Sequence, residues 1–393
     1  MSRRVWGSGL ALTLLCATLA GAQPAASTRR VIRPAGGPAD RPYAPGVMVG
    51  KTLYISGQLG LPGTGATPAD LTAQTKQAMD GIGAVLTAAG LGYQHLVKCH
   101  VYLANMDDYA AMNAAYGAHF TERVPARTTV QAAGLPAGAG VEIGCIGYAD
   151  LAAISVVRPP AGALPAPLGP YSPAVWAGDT LYVSGMGGQD PATKAVGEAV
   201  EAQVRQTVAN ITTTLKAAGL QATDVVHAQA YATRVTEADA LSAALAASFG
   251  AADVPPVGLV AVPRLPGPIR AEITFVAVRP AQARAPIGSG GRLHGLAAGT
   301  TLYVSAESAP EAGAGIEAQA RAVFATLRGT LQDGGLTLRD TVSVVVYLSD
   351  LADMAAMNTV FRETFPTDPP ARVTIQVQPQ GQERIRVGLI AAR

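Results

Sequence analysis

Two ionisable residues stand out in stretches that otherwise read as strand. Arg127 follows Val124-Pro125-Ala126 and opens the run Thr128-Thr129-Val130, and Glu142 lies inside Gly140-Val141-Glu142-Ile143-Gly144-Cys145-Ile146, fifteen residues later. An arginine leaving a Pro-Ala turn and a glutamate inside an apolar run predict one fixed cation and one carboxylate on adjoining strands of a hairpin. A guanidinium can clasp a small carboxylate bidentately, and a glutamate can orient or deprotonate a water. Arginine is mostly an exposed residue, so Arg127 also fits a solvated strand start. Glu142 is less ordinary, because glutamate is depleted in strands and the flanking Val141 and Ile143 must face the other way.

The elements that would position this pair occur three times. Thr52-Leu53-Tyr54-Ile55-Ser56-Gly57 recurs as Thr180-Leu181-Tyr182-Val183-Ser184-Gly185 and as Thr301-Leu302-Tyr303-Val304-Ser305-Ala306, with tyrosine offsets of 128 and 121 residues. The period is a whole domain rather than a solenoid unit. An amphipathic helical stretch follows in each copy (71–89, 199–218, 316–332) and closes on Gly90, Gly219 or Gly334-Gly335, where glycine suits the left-handed position past a helix end. Next come a β-branched strand, a second helix opened by acidic residues, and two closing strands. The order predicts an α+β fold, a mixed sheet with two helices on one face in each copy. Pro-rich joints set the units at 34–152, 158–280 and 284–393.

Composition bounds the partners. Of 393 residues, 29 are Lys or Arg and 27 Asp or Glu, so a formal net charge of +2 gives no reason to expect a polyanionic ligand. With 5% aromatic residues there is no basic groove of stacking rings, and no nucleic acid is expected. Arg3, Arg4, the apolar run 10–19 and Ala20-Gly21-Ala22 read as a secretory signal over 1–22, followed by an aperiodic tether over 23–33. The expectation is an exported, periplasmic protein with no membrane attachment once the signal is removed. Cys99 and Cys145 remain, each in an apolar strand, and read as buried free thiols.

At these residues the chain resembles the RidA family. The motifs are Gly169-Pro170-Tyr171-Ser172-Pro173-Ala174-Val175 before the Leu-Tyr-Val-Ser-Gly strand, the Ala-Ala-Gly-Leu helix end, Met-Asn in the second helix, Pro369-Pro370-Ala371-Arg372, and Val141-Glu142-Ile143. The resemblance covers essentially all of the chain past residue 34. It implies a chorismate-mutase-like fold and, from a family of homotrimers, an intramolecular pseudo-trimer acting as a monomer. It also implies cofactor-free hydrolysis of reactive enamines and imines, of the 2-aminoacrylate and 2-iminopropanoate type, to a 2-keto acid and ammonia in clefts between neighbouring repeats. Arg127 would clamp the substrate carboxylate and Glu142 would handle the water. Tyr43, Ser56, Gly57 and Asn113 would line the pocket, and Tyr171 of a neighbour could complete it. Tyr43 and Tyr171 also fit simple packing roles.

The copies are unequal. Repeat one alone carries both charges. Repeat two keeps Tyr171, Ser184 and Glu272, with Gly258 read at the arginine position and Ser242 at the asparagine. Repeat three keeps Ser305, Asn358 and Arg372, with Arg292 at the tyrosine and Arg386 at the glutamate. Ser184, Glu272, Ser305, Asn358 and Arg372 are thus read as remnants of degenerate sites, and the main site is expected in repeat one. The five histidines show no ligand spacing, so no metal is proposed. Ser, His and Asp lack a nucleophile-elbow context. Beside the deaminase stand two other functions: a non-catalytic small-carboxylate-binding or protective protein of the periplasm, and an endoribonuclease, which the near-neutral charge disfavours.

Overall fold

The computed structural model describes residues 29–37, 40–60, 70–249, 254–289 and 292–393; the segment read as a signal peptide lies outside them. The first copy shows how the pattern becomes structure. Helix α1 (Leu71–Ala88) starts where the Asp70 side chain accepts the Thr72 N–H, and it buries Leu71, Ala78, Met79, Ile82, Val85 and Leu86 at helical spacing. It ends at Gly90, whose φ of +75° is matched by Gly219 at +75° and Gly335 at +72° past the corresponding helices. A shorter helix, α2 (Tyr109–Gly117), packs beside it.

The first sheet contains β1 (Arg30–Ile32), β2 (Gly46–Val49), β3 (Thr52–Leu59), β4 (Leu96–Leu103), β5 (Ala126–Gln131) and β6 (Val141–Tyr148), in the order β1-β2-β3-β6-β4-β5. The second contains β7 (Ile154–Val157), β8 (Ala174–Ala177), β9 (Thr180–Val183), β10 (Met186–Gly187), β11 (Val225–Ala232), β12 (Val257–Ala261) and β13 (Ala271–Val278), under α3 (Val200–Ala217) and α4 (Ala238–Phe249). The third has β14 (Arg284–Ser289), β15 (Arg292–Ala298), β16 (Thr301–Ser308), β17 (Thr341–Leu348), β18 (Ala371–Gln376) and β19 (Ile385–Ala392), under α5 (Ile316–Asp333) and α6 (Met354–Thr364). This is the expected α+β architecture, three mixed sheets each with two helices. Two expected joints shift: Arg30–Ile32 is a strand paired with β2 rather than tether, and β7, ahead of residue 158, belongs to the second sheet.

In each sheet the parallel pair closes a strand-helix-strand crossover, and the last strand then inserts between the first hairpin and that pair. Alternation along β4 sends Cys99, Val101 and Leu103 to the helices, while Tyr102 faces inward with Tyr231 and Tyr347 of the other repeats. The inner faces join in one core that includes Val130, Ala306, Val373 and Ile375. The repeats therefore close on one another as a pseudo-trimer, β5 against β9, β12 against β16, and β18 against β3.

The cysteines are a correction. Cys99 and Cys145 stand opposite each other on β4 and β6, with Cα atoms 4.1 Å apart, and are joined as a disulfide. Their pairing depends on β6 lying next to β4, which no local signal reveals. The bridge closes a segment of 46 residues, for which chain entropy gives about 4 kcal/mol. Replacing both by alanine is therefore expected to cost about 2–4 kcal/mol in urea unfolding, where an unchanged midpoint would mean the thiols are not bridged.

Candidate active site

Pro125 carries β5 to the edge of repeat two. Its carbonyl accepts the Ser172 N–H at 3.1 Å, the Arg127 N–H donates to Ser184 Oγ at 2.8 Å, and Ser184 Oγ donates to the Ser172 carbonyl at 2.6 Å. The Gly185 N–H returns a bond to the Arg127 carbonyl at 2.9 Å. Ser184 thus stitches two repeats together and fixes where the Arg127 side chain leaves the strand. That side chain is 2% exposed. Its Nη2 donates to Asn113 Oδ1 at 2.7 Å and the Tyr109 hydroxyl at 3.2 Å, and the rings of Tyr116, Tyr171 and Tyr109 lie 5.0, 5.4 and 5.7 Å from Cζ. Nη1 is buried without a hydrogen-bond partner among the described residues. The inter-repeat link passes so close that a Cβ at Gly169 would lie 2.6 Å from Asn113 Oδ1 and 2.7 Å from Arg127 Nη2.

The carboxylate facing Arg127 is Glu272 of repeat two, held by the Thr129 N–H. A Cβ at Gly185 would run into Glu272 Oε1, so this glycine leaves the room the carboxylate occupies. We call this the first cleft.

The second cleft repeats the plan between repeats three and one. The Arg372 N–H donates to Ser56 Oγ at 2.8 Å, Ser56 Oγ donates to the Ala44 carbonyl at 2.5 Å, and the Ala44 N–H donates to the Pro370 carbonyl at 3.0 Å. The Arg372 guanidinium lies 4.6 Å from the Tyr43 ring and 4.7 Å from Phe361. Glu142 Oε1 accepts the Thr374 N–H at 3.3 Å and would be displaced by any Cβ at Gly57. Glu142 Oε2 and Asn358 Oδ1 are buried without a hydrogen-bond partner among the described residues.

The predicted hairpin pair is therefore not a pair. β4 lies between β5 and β6, and Arg127 and Glu142 open into different clefts, because each cleft draws its arginine from one repeat and its glutamate from the next. Tyr171, Ser184, Gly185 and Glu272 stand with Arg127 and Asn113; Tyr43, Ser56, Gly57 and Glu142 stand with Arg372, and Asn358 follows Met357, whose sulfur Arg372 Nη1 meets at 3.8 Å. Three of the five residues read as remnants, Ser184, Glu272 and Arg372, thus stand in clefts that hold both an arginine and a glutamate.

Only Ser305 of that group falls in the third cleft, between repeats two and three. There Arg386 sits opposite Tyr347 as Glu142 sits opposite Tyr102 and Glu272 opposite Tyr231. The arginine position is Val257, not Gly258: Ala228 faces Val257 where Val344 faces Arg372, a one-residue correction that the Pro255-Pro256 pair conceals. Arg386 is paired with Glu383 at 2.6 Å, and Arg292 with Glu307 at 2.8 Å, which His294 also meets.

Burial dominates the electrostatics of the intact clefts. It pushes Glu142 up to about 8, against opposing pulls from the Thr374 N–H and Arg372, and Glu272 up to about 7, against Lys98, the Thr129 N–H and Arg127. It also draws Arg372 down to about 10. Two carboxyls that exchange a proton near neutrality, each facing a buried guanidinium, suit acid-base work on a small anionic substrate. Sequence reading passed over Thr129 and Thr374, whose N–H groups meet the two glutamates and whose hydroxyls are buried without a partner among the described residues. Their equivalent in the third cleft is Leu259, a contrast visible only once the strands are in register.

The sequence model of a family described as endoribonuclease L-PSP matches residues 36–149, 162–279 and 285–387, one match per repeat. The chain belongs to this family, the RidA family. Among its relatives, the 2-iminobutanoate/2-iminopropanoate deaminase of Capra hircus is 43% identical over 121 residues, 30% of this chain and 88% of that protein. The protein of the same name from Escherichia coli is 41% identical over 109 residues, 27% of this chain and 85% of its own length. A solved RidA from an Antarctic Psychrobacter is 39% identical, covers 30% of this chain and 98% of that chain, and has a TM-score of 0.28. Each of the two deaminases corresponds to about one repeat here.

Proposed function

We propose that the protein is a cofactor-free hydrolytic deaminase of small reactive imines and enamines, of the 2-iminopropanoate and 2-aminoacrylate class, working in two clefts, Arg127 with Glu272 and Arg372 with Glu142. The observation that carries this reading is the twofold recurrence of a buried arginine facing a buried glutamate across a repeat boundary. The relatives named imine deaminases support the chemistry.

The arginine holds the substrate carboxylate and fixes the imine carbon beside the glutamate. The glutamate takes a proton from water as its oxygen bonds to that carbon, and the proton goes to nitrogen. The carbinolamine then expels ammonia as the C–N bond breaks and the C=O forms, so imine plus water gives 2-keto acid plus ammonia. A carboxyl raised to about 7 or 8 by burial both accepts and returns a proton at neutral pH. Asn113 and Asn358, with Tyr171 and Tyr43, orient the arginines or the substrate.

The non-catalytic reading rests on decay in two of three copies and on export, away from the cytoplasm where such imines usually arise. Pairing between copies confines the loss to one cleft. A net charge of +2 gives RNA little counterion-release attraction. The Cys99–Cys145 bridge supports export to an oxidising compartment such as the periplasm, and internal closure of the ring supports a monomer.

The test supplies 2-iminopropanoate by an amino-acid oxidase acting on alanine and follows loss of the imine together with release of pyruvate and ammonia. Purified protein is expected to accelerate hydrolysis well beyond the spontaneous rate; no acceleration would remove the assignment.

A further inference from the structure

The two intact clefts differ at a buried point between the arginine and glutamate strands. Lys98, on the inward face of β4, is 3% exposed. Its Nζ donates to Thr128 Oγ1 at 2.7 Å, the Val183 carbonyl at 2.8 Å and Thr274 Oγ1 at 2.9 Å, and Thr274 Oγ1 also donates to the Val183 carbonyl at 2.6 Å. Thr128 follows Arg127 on β5, and Thr274 lies two residues beyond Glu272 on the same face of β13. One amine therefore ties the strand that carries the arginine to the strand that carries the glutamate.

The second cleft has no counterpart. By strand register Ser343 stands for Lys98, Val373 for Thr128 and Gly144 for Thr274, and a Cβ at Gly144 would lie 2.8 Å from Val373 Cγ2. Tight apolar packing replaces the ionic knot. Lys98 and both of its threonine partners change together, as a unit with one function would.

We propose that Lys98 is a positioning residue for the first cleft alone, holding Arg127 and Glu272 at working separation and setting a cation beside Glu272. The inference rests on the deaminase reading of the cleft. The charged and titratable groups around Glu272 are Lys98 on β4, Arg127 on β5, Tyr109 on α2 and Tyr171 before β8; those around Lys98 are Glu272 and His100, with His227 beside His100. Burial draws Lys98 down to about 7, and the attraction of Glu272 opposes that fall. Without Lys98, Glu272 loses its strongest opposition to burial and holds its proton to higher pH.

Lys98→Met is tested in two single-cleft backgrounds. With Arg372→Ala, which leaves the first cleft, kcat is expected to fall about tenfold while KM changes less, and the acid limb of the pH profile moves upward; Lys98→Arg should restore part of the shift. With Arg127→Ala, which leaves the second cleft, rate and profile should not move. Equal losses in both backgrounds, or none in either, would overturn the proposal. Carboxyl 13C titration of the full chain, with Glu272 assigned by its loss in Glu272→Gln, separates this inference from the deaminase reading. The Glu272 midpoint should rise in Lys98→Met while that of Glu142 stays, even in a protein that hydrolyses nothing; an unmoved Glu272 would defeat it. If Lys98→Met does not fold, Thr274→Val, which removes one of the three contacts, is read the same way.

Discussion

Arg127→Ala and Arg372→Ala are each expected to leave about half of the imine hydrolysis when the two clefts contribute equally, and the double variant to lose at least 100-fold in kcat/KM. Each guanidinium is buried against aromatic rings and offers charge-assisted donors to a carboxylate, the two N–H groups of Arg127 Nη1 among them. Hydrogen bonds to charged groups contribute roughly 1.5–3 kcal/mol each, and two of them amount to two or more powers of ten in rate. The pairing of repeats makes a sharper forecast than the loss itself. Arg127→Ala with Glu272→Gln empties one cleft and spares the other, so it should match either single variant. Arg127→Ala with Glu142→Gln strikes both clefts and should be nearly inert. If the second combination kept half its activity and the first were dead, Arg127 and Glu142 would share a site after all. Circular dichroism and a thermal melt on each variant separate lost chemistry from lost fold.

The second large effect is on pH. Glu272 sits at about 7 and Glu142 at about 8, both raised by burial. The step that takes a proton from water needs the carboxylate, so each rate should climb as pH rises through its own value. The Arg127→Ala protein, working through Glu142, and the Arg372→Ala protein, working through Glu272, should both gain rate as pH rises through neutrality; activity that falls over that range in either would reject the assignment of the glutamates as bases. Stability carries the opposite sign. An unfolded glutamate releases its proton near 4.5, whereas the folded one keeps it to 7 or 8. The folded state therefore binds more protons in between, and stability is lost as pH rises through that window. Glu142→Gln with Glu272→Gln should flatten this slope in urea titrations read at pH 5 and pH 9.

Much of a single repeat was legible in the sequence, because its signals are local. Gly90, Gly219 and Gly335 mark helix ends through a backbone angle that favours glycine, and the Leu-Tyr-Val-Ser strand returns at each copy with the same flanks. The pairing of residues into sites was not legible. It turns on β6 inserting between β3 and β4, a contact between segments tens of residues apart, and on which repeat abuts which. The same non-local step hid the Cys99–Cys145 bridge. It also hid the arginine slot at Val257, since a Pro-Pro pair can be aligned with Pro369-Pro370 as easily as with Pro125-Ala126, and only the register with Ala228 decides. Lys98 looked like an unremarked lysine in a strand until Thr128, Val183 and Thr274 closed around it.

The third cleft shows what joining the repeats in one chain permits. A ring of three identical chains would carry any change three times, so a substitution that tuned one cleft would alter all of them, and one that ruined a cleft would ruin every cleft. Here Val257 and Arg386 lie in different repeats yet alter the same cleft, while Arg127, Glu142, Glu272 and Arg372 stay untouched. Covalent fusion makes each interface separately variable, so that Lys98 on β4, Ser343 on β17 and Val257 on β12 can differ from cleft to cleft without touching one another.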